Sequence, residues 1–230
     1  MQDVVYRNRK FCPELASIIL KVYYWTMTEH FSKRIYTVKM FYYHTCLFFS
    51  CSGKYRKAAR KENLDPQFVE RIMLAVTQVN GCRLCSYAHT RIALERGVDN
   101  DEITQLLGGD LESAPKEEYV ALLFAQHYAE TGGNPDTATL QNMISTYGKE
   151  RTLAVLYHIR TIMFGNIYGN TLDGFYHRIR GRGSKASSPF RELVIILGIL
   201  PAAAVLLIYK VIRKVIRQED RLYRTIQNLE

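Results

Sequence analysis

The sequence predicts an all-α protein, and three observations carry that prediction. Apolar residues between positions 65 and 176 recur at helical spacing, three and four apart. Helix-start and helix-stop residues punctuate that region at regular intervals. No stretch in it alternates apolar and polar residues as a half-buried strand would. The composition, 47% hydrophobic and 23% charged, is that of a globular chain, and 230 residues suffice to bury a sizeable core.

The elements follow in order. Asp65-Pro66 pairs an N-cap residue with proline at the first helical position, and Phe68, Ile72 and Val76 continue as one apolar face with Val69 and Met73 beside it. Asn80-Gly81 ends that helix and starts the next. Asp99 and Asp101 introduce EITQLL, and Pro115 introduces KEEYVALLFAQHYAE. GGNPD at 132–136 breaks the chain before TATLQNMISTYG, and ERTLAVLYHIRTIMFGNIYGNTLDGF reads as a long apolar helix with glycines at 165 and 169.

Charge divides the chain further. Residues 1–60 hold 11 Lys/Arg against 3 Asp/Glu, residues 61–176 hold 9 against 15, and residues 177–230 hold 11 against 4. An acidic centre between basic ends argues against a nucleic-acid-binding module and suits a core flanked by segments near an anionic membrane surface. Residues 1–60 are crowded with aromatics, as in FCPELASIILKVYYWTM and IYTVKMFYYHTCLFFSC. They read equally as an interfacial segment and as a cover for the core. Residues 177–190 read as a Gly/Ser/Arg-rich linker. Residues 191–210 read as a transmembrane helix, built on 17 uncharged residues at 193–209; a helix of that length spans roughly 25 Å against a bilayer core of about 30 Å. Basic residues are nearly balanced on its two sides, so charge does not orient it. Residues 211–230 form a basic tail in which Val215, Leu222 and Leu229 are seven apart, a short coiled coil or an amphipathic helix. Five cysteines, an odd number, and no clean export signal point to a reducing, cytoplasmic setting for the central domain.

The chemistry concentrates in NGCRLCSYAHTRIALERGV. On a helix, Cys82, Cys85 and His89 fall on one stripe. Asn80-Gly81 places Cys82 in the first turn, where free N–H groups and the helix dipole favour a thiolate, and His89 offers a base or a positive charge near Cys85. This stripe is open to a redox-active dithiol, to three ligands of a zinc site lacking its fourth, and to plain core cysteines. A c-type haem attachment is excluded, because Ser86 stands where histidine is required. Glu70 is open to a role in proton transfer and to simple complementation of a helix dipole. Arg83, between the cysteines, is open to a role in lowering a thiol pKa and to plain solvation; Tyr87 and His158 are candidate pocket residues.

Glu70, the CxxC of Cys82 and Cys85, His89 and the acidic DNDEI that opens the next helix together resemble the AhpD-like alkylhydroperoxidase branch of the carboxymuconolactone decarboxylase superfamily. The resemblance runs from Glu70 to about Ile103 and extends through the helical region to about residue 176. It implies an all-α fold, assembled as trimers or multiples of trimers. It also implies that Cys85 attacks a hydroperoxide, that Cys82 resolves the product to a Cys82–Cys85 disulfide, and that His89 and Glu70 relay protons. No bound cofactor is implied; an external dithiol, lipoyl or thioredoxin-like, restores the thiols. The expected whole is a membrane-tethered thiol peroxidase. A redox sensor or disulfide-exchange module, and a non-catalytic membrane scaffold on the same fold, are the alternatives.

Overall fold

The computed structural model describes residues 34–50 and 53–198, with residues 225, 226 and 228 of the tail. Among them every regular element is a helix. The order is α1 (Val38–Ser50), α2 (Lys54–Glu62), α3 (Pro66–Asn80), α4 (Arg83–Glu95), α5 (Asn100–Gly108), α6 (Tyr119–Glu130), α7 (Thr137–Ile179) and α8 (Pro189–Leu197).

The caps fall where the sequence places them. Asp65 Oδ1 accepts from the N–H groups of Gln67 (2.8 Å) and Phe68 (3.3 Å), with Pro66 in the first turn of α3. Gly81 closes α3 in the left-handed region, at φ 60° and ψ 40°, a conformation that costs a residue with a Cβ about 1 kcal/mol or more. Asp99 caps α5 and Asp136 caps α7. Helix α7 is broken at Gly148 (φ 74°, ψ 167°), so the segment opening with TATLQ and the long run after it are separate helices end to end. Helix α6 starts at Tyr119, four residues beyond Pro115. The intervening turn is closed by Glu118 N–H donating to Pro115 O at 2.9 Å, and it delivers Glu118 to a buried ion pair with Arg71 at 3.2 Å.

Helices α3 and α7 are the axis of the molecule. Helix α3 packs against α4, α5, α6 and α7, and α7 packs against α2, α1 and α8 as well. Phe68, Ile72, Leu74, Phe124, Leu156 and Ile159 are fully or almost fully buried between them. A second, smaller cluster joins Tyr36, Phe41, Ile167 and Ile195. The aromatic segment at 35–50 thus covers core with one face, while Tyr42 and Tyr43 are exposed on the other. Its partner segment at 11–27 lies outside the described residues.

The start of the apolar segment expected to cross a membrane is docked on protein. Within α8, Ile195 is 1% exposed and packs on α7 and α1, and the buried Glu192 accepts from Arg178 at 2.8 and 3.0 Å. Glu192 therefore has its own guanidinium partner within the fold. Among the described residues no helix is long and apolar enough to cross a membrane; residues 199–210 of the expected span lie outside them. So does most of the tail, although Ile226 is buried in the main core.

Candidate functional site

The site forms at the turn between α3 and α4. Cys82 is the N-cap residue of α4, and its Sγ accepts the N–H of Cys85 at 3.3 Å. Both cysteines are free thiols. Cys82 is fully buried, whereas Cys85, one turn on, is half-buried. Anion stabilisation and access are therefore divided: the helix N-terminus serves Cys82, and the more reachable sulfur is Cys85. The Cys85 thiol is pushed far above its ordinary pKa, chiefly by its hydrogen bond to Cys82, then by burial and by charge on Cys82. Negative charge on Cys82 makes Cys85 hold its own proton more tightly. The activated thiolate expected of the helix start is thus confined to one sulfur at a time.

His89 lies two turns along α4. Its Nδ1 is 2.8 Å from Glu70 Oε2. A carboxylate only accepts, so Nδ1 carries the hydrogen and Nε2 is left as the basic nitrogen. Glu70, on α3, is 3% exposed, and its second oxygen accepts from Arg96 at 2.7 Å. A buried carboxylate with both oxygens paired does more than complement a helix dipole: it sets the tautomer and orientation of His89.

Arg96 and Gly169 complete the site and were not singled out by sequence. Arg96, the C-cap residue of α4, lies seven residues beyond His89, two turns on, a spacing that places it against the same neighbour. Gly169, on α7, backs the sulfurs. A Cβ there would overlap Cys82 Sγ and stand 3.0 Å from Cys85 Sγ. The available signal was a glycine inside an otherwise strong helix, which marks a close approach when nothing else explains it.

The remaining candidates are placed as follows. Arg83 turns away from the thiols to Asp173 on α7, at 2.8 Å. Tyr87 is 40% exposed. His158 lies within electrostatic reach of Glu70 and Arg96, and burial lowers its pKa to about 4, so it is neutral near pH 7. Among the described residues no three His, Cys, Asp or Glu side chains converge as metal ligands.

The region from the end of α1 through most of α6 contains Glu70, Cys82, Cys85, His89 and Arg96. Residues 52–126 match the carboxymuconolactone decarboxylase family. The match covers about a third of the chain and stops short of α7, which supplies Gly169 and His158. No curated protein and no solved structure matches the chain.

Proposed function

We propose that this chain is a thiol-dependent oxidoreductase that reduces hydroperoxides through a Cys82–Cys85 disulfide cycle. The observation that carries the reading is the dithiol at the start of α4 with a Glu70-oriented histidine on the same helix stripe. Enzymatic activity accords with the matched family, which includes enzymes of this kind.

In the cycle, Nε2 of His89 accepts the Cys85 proton, and the thiolate attacks the distal peroxide oxygen. The O–O bond breaks and the alcohol leaves with a proton, so that Cys85 becomes a sulfenic acid. Cys82 then attacks the Cys85 sulfur, water leaves, and the Cys82–Cys85 disulfide closes. One hydroperoxide and two thiols yield one alcohol, one water and one disulfide. An external dithiol, lipoyl or thioredoxin-like, reduces that disulfide by exchange. The raised Cys85 pKa makes the base necessary, since little thiolate forms at neutral pH without it. The same reading includes a homo-oligomer and a tether through residues 191–210 that brings a cytoplasmic site to membrane lipid.

Single-turnover reaction of the reduced full chain with an organic hydroperoxide tests it. One equivalent of peroxide should be consumed and a Cys82–Cys85 disulfide should appear by mass spectrometry. Cys85→Ser should abolish consumption; a variant that keeps full activity sinks the reading.

A second reading, a protein disulfide-exchange module or redox sensor, is favoured by one observation. The sulfur that accepts a backbone N–H at the helix start, Cys82, is also the one fully buried. Slow peroxide consumption beside rapid exchange with a protein disulfide would select it.

A further inference from the structure

Three helices form one layer along α7. Arg160 of α7 stacks 4.6 Å over the ring of Tyr55 in α2. Phe164 stacks on Phe48 of α1, with ring centroids 4.5 Å apart. Tyr168 meets Phe41 of α1 edge-on and donates its hydroxyl hydrogen to Ile195 O of α8 at 3.2 Å. Arg178 holds Glu192 of α8. Positions 160, 164 and 168 are successive turns of a helix, and 178 is five full turns beyond 160, so all four lie on one stripe. Helices α2, α1 and α8 therefore cover the same side of α7, while Asn166 and Asn170 turn to Thr77 and Asn80 of α3.

The outer face of this layer has a consistent chemistry. Helix α2 turns Tyr55 and Ala58 inward, and Lys54, Arg56, Lys57, Arg60 and Lys61 are exposed on its opposite side. On α1, Phe41, His44 and Thr45 are buried, and Lys39, Tyr42 and Tyr43 are exposed. On α8, Glu192 and Ile195 are buried, and Phe190, Leu193 and Leu197 form an exposed apolar stripe at helical spacing, with Phe190 at 77% exposure. The chain then continues into the uncharged residues 199–209. Charge is segregated to match. Residues 34–62 and 177–198 together hold 12 Lys/Arg against 2 Asp/Glu, whereas residues 63–176 hold 8 against 14. The two acids of the layer, Glu62 and Glu192, are half-buried and buried.

We infer that the outer face of α1, α2 and α8 docks this chain on the surface of a bilayer containing anionic phospholipid. The negative headgroups complement the cations of α2, each of which near such a surface strengthens adhesion roughly 5-fold. Tyr42 and Tyr43 are the residue type that settles at headgroup level. Phe190, Leu193 and Leu197 supply the apolar contact that reaches the acyl boundary. A nucleic acid takes up the cations alone and leaves the α8 stripe in water. The inference deepens the membrane part of the proposed function, and it rests neither on thiol turnover nor on a span at 193–209.

Lysine acetylation of the full chain, mapped by mass spectrometry, tests it. The chain is added to vesicles of phosphatidylcholine alone, or of phosphatidylcholine and phosphatidylserine at about 3:1. Lys57 and Lys61 should react roughly 5-fold more slowly on the anionic vesicles, and the protection should vanish near about 1 M salt. Lys116, exposed between α5 and α6, should react alike on both. Arg56→Gln combined with Arg60→Gln should restore the rates of Lys57 and Lys61. Phe190→Ser, which changes no charge, should also weaken the protection. These three positions are exposed, so the melting transition should be retained. The inference is overturned if Lys57 and Lys61 react equally on the two kinds of vesicle, or if Phe190→Ser leaves the protection intact. It is also overturned if RNA or polyglutamate, without vesicles, protects them as well as phosphatidylserine does; the face would then take a nucleic acid or an acidic protein. Flotation with phosphatidylcholine vesicles alone reads the tether through residues 191–210 separately, so tether and docking face can fail apart.

Discussion

Gly165 and Gly169 sit one turn apart on α7, and substitution to alanine should have opposite effects at the two. At Gly165 a Cβ meets only Ile162 Cδ1, at 3.8 Å, an ordinary contact. Alanine is the better helix former there, and Gly165→Ala should stabilise by about 0.5–1 kcal/mol. At Gly169 the same Cβ overlaps Cys82 Sγ, and Gly169→Ala should destabilise by about 1–3 kcal/mol, as overpacked cores do. Guanidinium midpoints would measure both, and only Gly169→Ala should also alter the alkylation rate of Cys85. A second prediction concerns the thiol pair. Because Cys82 is the leading cause of the raised Cys85 pKa, Cys82→Ala should move the Cys85 titration to lower pH. Ultraviolet thiolate absorbance against pH checks this; an unmoved curve would mean that burial alone sets the value.

Helix α3 holds Glu70 in place, so its start bears on the site. Asp65 satisfies two of the orphan N–H groups at that end. Asp65→Ala should cost about 1 kcal/mol, visible as a lowered melting temperature. Activity should survive, since the break is a full turn from Glu70 and the later turns are held by packing. Elements of this kind were legible in the chain. Asp65-Pro66, Asn80-Gly81, Asp99 and Gly148 act through hydrogen bonds and φ angles within a few residues, and local sequence reports them directly. Helix α6 was displaced by four residues because Glu118 answers to Arg71, which lies 47 positions away. No local signal encodes such a pairing. The opening turns of the apolar segment at 193–209 illustrate the same point. Hydropathy reports that a segment shuns water but not whether lipid or protein takes its place, and α8 found Tyr36, Phe41 and Ile167.

Among the described residues, His44, His158 and Glu118 give the molecule a pH dependence. Burial lowers His44 and His158 from 6.5 to about 4. A histidine depressed in the folded state lends stability above its unfolded pKa and loses it as pH falls through the folded value. Burial raises Glu118 from 4.5 to about 7 against the pull of Arg71. A raised carboxyl acts in the opposite sense, with stability present at low pH and lost as pH rises towards 7. Between pH 4.5 and 6.5 the unfolded chain binds two histidine protons that the folded one refuses, and the folded chain holds one glutamate proton. These groups thus make stability fall on acidification through that window. His44→Gln should flatten the dependence of melting temperature on pH, and Glu118→Gln should steepen it. A flat profile in the parent would refute the assignment.

The sequence by itself determined that this protein is helical, where most of its helices begin and end, and that Cys85 and His89 share a stripe on one of them; Cys82, expected in the first turn of that stripe, is instead the extended N-cap residue before it. These are matters of period and capping, decided by neighbours within two turns. Tertiary structure alone decided that Glu70 orients His89 from another helix, that Arg96 takes its second oxygen and that Gly169 leaves room for the sulfurs. It also decided which sulfur is sheltered and which is reachable. Those facts depend on burial and on approach between segments up to 90 residues apart, which the packing of α7 against α3 and α4 creates.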